Sequence, residues 1–261
     1  MNVMGIQLPI WREGRAALES VALTRAPLPL DRAVAGGEGT PVLLIPGYLA
    51  GDRSLALLAG RLRDLGYGAQ HAAIACNVDC ATRTTERLVE RLKSITAASG
   101  QGAVIVGHSL GGVLGRLLAV RRPELVRGVV CLGSPLLKLD AVHPLVWAHV
   151  RLVGVLGGLG LPGLLSNACL TGPCCGESRE LAHAPFPGDV GFVSIYSRSD
   201  GIVHWRSCLD PDADHVEVDS SHIGMAVNRA VHRTVAECLN LLGTPSGVHA
   251  RDFRSTTTAA A

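Results

Sequence analysis

The sequence predicts an α/β fold: a mostly parallel central sheet with helices on both faces and an apolar insertion above one end of the sheet. Three observations carry this. Short, nearly continuous apolar runs recur at "PVLLIPG" (41–47), "GAVIVGHS" (102–109) and "VRGVVCLGSP" (126–135), and a strand apolar on both sides is one covered on both sides. Between the runs lie longer stretches whose apolar residues recur at helical spacing. The strand–helix alternation breaks only between 136 and 188, in a segment rich in Gly, Pro and Cys.

In chain order, "WREGRAALESVALTR" (11–25) reads as an amphipathic helix and "APLPLDRAVAGGEGT" (26–40) as a loop, so residues 1–40 form a lead-in to a domain spanning 41–243. The first strand stops at Pro46-Gly47. "SLALLAGRLRDLG" follows as a helix, with Asp52 or Ser54 as cap and Gly66 as stop. "YGAQHAAI" is the next strand. "ATRTTERLVERLKSI" is a helix carrying Leu88, Leu92 and Ile95 on one stripe. "GAVIVGHS" and "LGGVLGRLLAVRRPELV" form the third strand and its helix, and "VRGVVCLGSP" the fourth strand. Alternation returns with "DVGFVSIYSRSDG" (189–201) and "HVEVDSSH" (215–222). The last helix, "IGMAVNRAVHRTVAECLNLLG", has Val227, Val231, Val235 and Leu239 on one side and Gly243 as stop. The tail, 244–261, reads as disordered.

Composition narrows the function classes. Twenty-four Lys and Arg nearly cancel 22 Asp and Glu, and the basic residues are scattered, which argues against nucleic acid as a partner. The start of the chain lacks a basic stretch followed by a long apolar run, so no secretory signal is expected and a cytoplasmic location follows. The stretch "LVGVLGGLGLPGLL" (152–165) is too short and too interrupted for a membrane span. It reads as a mobile apolar segment, with transient contact at a membrane or lipid interface as its counterpart. The eight cysteines form neither paired Cys-x-x-Cys motifs nor Cys/His ligand spacings. Buried apolar thiols are expected, with no metal and no organic cofactor. A disulfide among Cys169, Cys174 and Cys175, or with Cys208, stays open. Oligomeric state cannot be read from the sequence.

The chemistry concentrates at "GHSLG" (107–111). With 31 glycines in the chain, the G-x-S-x-G pattern carries weight only through its setting. Here it ends an apolar strand and opens a helix, a sharp turn that needs small neighbours and lifts the serine hydroxyl above the sheet. The rival reading is a plain N-cap serine. A nucleophilic Ser109 needs a base and a group that orients the base. On such a sheet these follow in the order Ser, acid, His at later strand ends. Asp200, after "FVSIYSRS", and His222, after "HVEVDSS", fit that order.

The competitors are weaker. Asp210, Asp212 and Asp214 read as a solvated acidic loop, Asp219 lies close to the end of its strand, and His215 opens its strand at the wrong end. His204 is a rival base, and His108 reads as a packing residue beside the elbow. The oxyanion requires two backbone N–H donors: Leu110, after the nucleophile, and Tyr48, after the first strand, where an ordinary Pro-Gly turn is the plain alternative. Leu49, His108, Leu136 and Val203 are the expected substrate contacts.

The segments "PVLLIPGYLAGD", "VIVGHSLGG", "SIYSRSDGIV" and "VDSSHIGMAVN" resemble those of α/β-hydrolases of the bacterial, including actinobacterial, lipase and esterase type, from about residue 41 to 243. The resemblance implies an esterase with Ser109, Asp200 and His222 as triad and Tyr48 and Leu110 as oxyanion donors. Pro46 departs from it, standing where many relatives carry histidine. Residues 136–188 match no familiar cap; they would lie over the elbow either as a lid or as a fixed cap. A small-molecule ester or lipid is the implied substrate. An acyltransferase or thioesterase using the same triad is the alternative, and a non-catalytic binding protein on this fold is the reading from another class.

Overall fold

The computed structural model describes residues 8–25 and 37–243. Most of the 26–40 loop and the 244–261 tail therefore lie outside the described residues.

Among the described residues, six strands form one wholly parallel sheet: β1 (Pro41–Ile45), β2 (Gly68–His71), β3 (Ala103–His108), β4 (Val126–Leu132), β5 (Gly191–Tyr196) and β6 (Asp214–Glu217), in the spatial order β2-β1-β3-β4-β5-β6. The chain starts one strand in from an edge, steps out to β2 at that edge and then winds the other way through β3 to β6. The order reverses at β1–β3, the switch point where sites collect in open α/β sheets. The helices are α1 (Arg15–Arg25), α2 (Ala56–Asp64), α3 (Ala81–Ser99), α4 (Leu110–Arg121), α5 (Pro144–Gly158), α6 (Asn167–Thr171), α7 (Gly176–His183) and α8 (Arg229–Gly243).

The apolar runs become central strands because both faces are covered. One face sets Val42, Leu44, Val104, Val106 and Val130 against Leu58 and Leu62 of α2 and Val231, Val235 and Leu239 of α8. The other sets Leu43, Ile45, Ile105, Val129 and Cys131 against Leu88, Leu92 and Ile95 of α3 and Leu114, Leu117 and Leu118 of α4. Strand β6 alternates between half-buried and exposed residues, as expected of the edge.

Three local readings need correction. Neither Asp52 nor Ser54 caps the helix that follows: a 3-10 turn, Asp52–Leu55, precedes α2. The Asp52 carboxylate instead accepts the Ile74 N–H at 3.1 Å, and Ser54 Oγ donates to the Gly51 carbonyl. The 136–188 segment holds three helices, α5 to α7. α5 is apolar nearly all round ("PLVWAHVRLVGVLGG"), so no 3.6-residue stripe stands out in its sequence. Among the described residues no helix is long and apolar enough to cross a membrane.

The third correction is Asp210, which is not solvated. It is buried and receives the Arg116 Nε–H of α4 at 2.8 Å. The same guanidinium donates to the carbonyls of Leu181 and Ala184 at the end of α7. One buried ion pair thus joins α4, the cap and the β5–β6 connection. Asp210→Ala leaves buried Arg116 with only the half-exposed Asp212 carboxylate, 4.0 Å away, and thermal or denaturant unfolding should show a loss of about 3 kcal/mol.

Candidate active site

The site starts from backbone strain. Ser109 holds φ +53° and ψ −119°, a region costly for any residue with a side chain. It is held there by its N–H bond to the Leu132 carbonyl (2.8 Å) and by the immediate onset of α4. The flanking glycines are required by space. A Cβ on Gly111 would lie 2.1 Å from the Ile45 carbonyl oxygen, and one on Gly107 would lie 2.4 Å from the Gly111 carbonyl. The helix can start this close to β1 and β3 only with hydrogen at both positions.

Gly47 plays the same part across the cleft, since a Cβ there would stand 3.1 Å from the Ser109 Cβ. The turn carrying Tyr48 is therefore pressed against the serine. It is braced by buried Asn77, whose Nδ2 donates to the Pro46 carbonyl (2.8 Å) and whose own carbonyl accepts the Leu49 N–H. Leu49 pays for this tight turn with φ +61°. Among the described residues no hydrogen bond uses the N–H of Tyr48 or of Leu110. The Tyr48 hydroxyl meets His149 Nδ1 of α5 at 3.1 Å, which links this turn to the cap.

Asp200 and His222, at the ends of different strands, are brought together: Nδ1 of His222 donates to Oδ2 of Asp200 at 2.7 Å, with both side chains buried. Oδ1 of Asp200 accepts the N–H groups of Ile202 and Val203 at 2.8 and 2.7 Å. Beneath the pair, Gly133 (φ +55°) leaves no room for a side chain, since its Cβ would lie 3.1 Å from both Asp200 Oδ2 and His222 Nδ1. Burial alone would pull the His222 imidazole down. The Asp200 charge and hydrogen bond, with a contribution from Glu13, hold it above its ordinary value of 6.5.

His108 also differs from a base. Burial and the neighbouring His222 ring, 4.8 Å away between centroids, push it down to about 3. Neutral, it donates from Nε2 to the His222 carbonyl at 3.0 Å. Of the rivals, His215 bonds the Asp210 carbonyl, His204 is outside the cleft wall, and exposed Asp219 pairs with Arg15 of α1.

Ser109, Leu110, His108 and His222 share one cleft of about 1220 Å³ with Tyr48, Leu49 and Leu136. Val203 is not part of its wall. It is fully buried, and its N–H is bonded to the Asp200 carboxylate rather than turned toward the cleft. Cys208 lies buried beside Val203 and Tyr196, outside the group formed by Cys169, Cys174 and Cys175, and all eight thiols are free.

Sequence reasoning missed the N-terminal helical segment as part of the site. Glu13 accepts the N–H groups of Gly201, His222 and Ile223 at 2.8–3.0 Å. Glu19 accepts from Ser221 N–H and Oγ. Two carboxylates from α1 and the turn before it thus gather the loops that carry Asp200 and His222. The only trace in the sequence is two acids on the polar face of an amphipathic helix, and such acids are ordinarily solvated. Removing the Glu13 charge with Glu13→Gln should move the acidic limb of a kcat/KM–pH profile to lower pH, because one support of the raised His222 value is lost.

A family model described as alpha/beta hydrolase fold matches residues 65–152, a span that includes Ser109. Among solved structures, the mature form of a Bacillus licheniformis lipase is 15% identical with a TM-score of 0.56, over 78% of this chain and 93% of that one. A metagenome-derived lipolytic enzyme, from a study of LipS and LipT, is 14% identical with a TM-score of 0.55, over 80% and 95%. An enzyme described as an aryl esterase from Burkholderia cenocepacia is 16% identical with a TM-score of 0.52, over 80% and 92%. At these identities the likeness is one of fold.

Proposed function

On the α/β-hydrolase fold that this chain has, we propose that the protein is a serine carboxylester hydrolase acting on apolar, lipid-like esters. The observation that carries the reading is a strained serine at a strand-to-helix elbow and a buried Asp200–His222 pair whose histidine lines the same cleft as the serine. The lipase and esterase neighbours support it at the level of fold.

In the proposed reaction, Ser109 Oγ attacks the ester carbonyl while Nε2 of His222 takes its proton. Asp200 keeps the proton on Nδ1, so that Nε2 carries the free lone pair, and it stabilises the imidazolium that forms. The oxyanion is met by the N–H groups of Tyr48 and Leu110. Collapse expels the alcohol, which receives the proton from His222. Water then attacks the acyl-enzyme with His222 again as base, releasing the acid and restoring Ser109.

An apolar acyl group is supported by the cleft wall, where Leu136, Leu145, Val150 and Leu165 face the space above the serine. Along α5 and at the residue that ends it, Leu145, Leu152 and Leu159 recur every seven residues and are 64%, 54% and 74% exposed, an apolar stripe suited to a lipid surface.

Labelling with a fluorophosphonate tests the nucleophile: wild type should label and Ser109→Ala should not, and a wild type that stays unlabelled would sink the proposal. Hydrolysis of p-nitrophenyl esters of increasing chain length, with and without micelles, tests the substrate class. Rates that fall beyond short chains and do not rise at an interface would reject a lipid-like substrate.

A further inference from the structure

Four cysteines that are scattered in sequence converge at one place outside the catalytic cleft's chemistry. The Sγ atoms of Cys80, Cys169, Cys174 and Cys175 all lie within 4.8 Å of one another. Cys80 stands 3.5 Å from both Cys174 and Cys175, and Cys169 stands 3.7 Å from Cys174. A tetrahedral ion with Zn–S bonds of about 2.3 Å needs sulfurs about 3.8 Å apart along each edge. We propose that Cys80, Cys169, Cys174 and Cys175 form a structural zinc site that fastens the cap to the start of α3.

The geometry suits an ion better than disulfides. Disulfide formation sorts thiols into isolated pairs, whereas here Cys80 is equidistant from two partners and Cys174 approaches two. Four thiolates with no competing oxygen or nitrogen ligand select a soft or borderline ion, and a closed set of four leaves no open position for catalysis. On binding, each of the four thiols releases its proton to solvent and Zn²⁺ accepts four sulfur lone pairs, leaving a net charge of −2 with no change of oxidation state.

The surroundings can carry that charge. Cys80 and Cys175 are the residues immediately before α3 and α7, so the cluster sits beside two helix N-termini, whose positive dipole ends favour thiolate. The Ser166 N–H donates to Cys169 Sγ at 3.4 Å, the kind of outer contact that orients a metal ligand. The Arg83 guanidinium, paired with Asp79, lies within charge range of Cys80 and Cys169.

What the ion would secure is the cap. Three ligands come from the 166–176 stretch and one from the sheet domain. Around them, the Leu165 N–H donates to the Val78 carbonyl (2.8 Å), Arg83 to the Leu164 carbonyl (3.2 Å), and Thr82 Oγ1 to the Cys174 carbonyl (3.1 Å). Cys169 and Cys175 also line the cleft, so the site would set the position of one wall without entering the reaction.

The test is the metal content of the full chain purified without chelator. One zinc per chain that survives gel filtration is expected, with loss of that zinc in Cys174→Ser and retention in Cys76→Ser, a cysteine outside the cluster. Cobalt reconstitution of the metal-stripped wild type should give sulfur-to-cobalt charge transfer and the intense visible bands of tetrahedral coordination. This reads the wild-type site even if the variant fails to fold. Zinc-free protein that takes up neither metal overturns the site, as does a native mass lower by four hydrogens, which would mean two disulfides. Metal content is independent of ester hydrolysis, so either proposal can fail without the other.

Discussion

Ser109→Ala is expected to lower kcat for ester hydrolysis by about 10⁶-fold, since loss of the nucleophile leaves only binding and oxyanion stabilisation. Far-UV circular dichroism should be unchanged: the strained backbone at Ser109 is held by the Leu132 carbonyl and by glycine-permitted packing, neither of which needs the hydroxyl. Kinetics on a p-nitrophenyl ester decide it. A variant keeping more than about a hundredth of wild-type activity would remove Ser109 from the mechanism.

Asp200→Asn should cost about 10⁴-fold in kcat near neutral pH. The amide can present N–H where His222 now meets an acceptor, which favours the wrong imidazole tautomer and removes the charge that stabilises the imidazolium. The pH dependence has a defined sign. In the proposed reaction the active form of His222 is neutral, and its value lies above 6.5 in the folded protein, so wild-type kcat/KM should fall as pH drops through a point above 6.5. For stability the same raised value favours the protonated folded state. Its contribution is complete below pH 6.5 and is lost as pH rises through the folded value. Thermal midpoints of wild type and Asp200→Asn measured across that window should therefore converge as pH rises.

The catalytic candidates were legible because each rests on a local pattern. Ser109, Asp200 and His222 each follow an apolar run, and a parallel sheet delivers the ends of such runs to one edge whatever lies between them. The tight elbow could likewise be read from Gly107 and Gly111, since small residues on both sides of a serine are what a helix starting against a strand demands. Val203 was misread for an equally local reason: it follows Asp200 closely, but its backbone turns inward to bond the carboxylate.

Contacts between distant segments left little trace. Asp210 resembles its acidic neighbours in sequence, and only the approach of Arg116, 94 residues away, makes it a buried ion-pair partner. Glu13 and Glu19 look like solvated helix residues until α1 docks against the His222 loop more than 200 residues on. Cys80 shows no ligand spacing because its partners lie on the cap. The sequence by itself determined the parallel sheet, the elbow and the order of the catalytic candidates, because periodicity and glycine placement act within a few residues. Only the tertiary structure decided which acids are buried, what braces the histidine and which thiols meet. Those depend on how separate elements pack, and a side chain's type does not specify its distant neighbours.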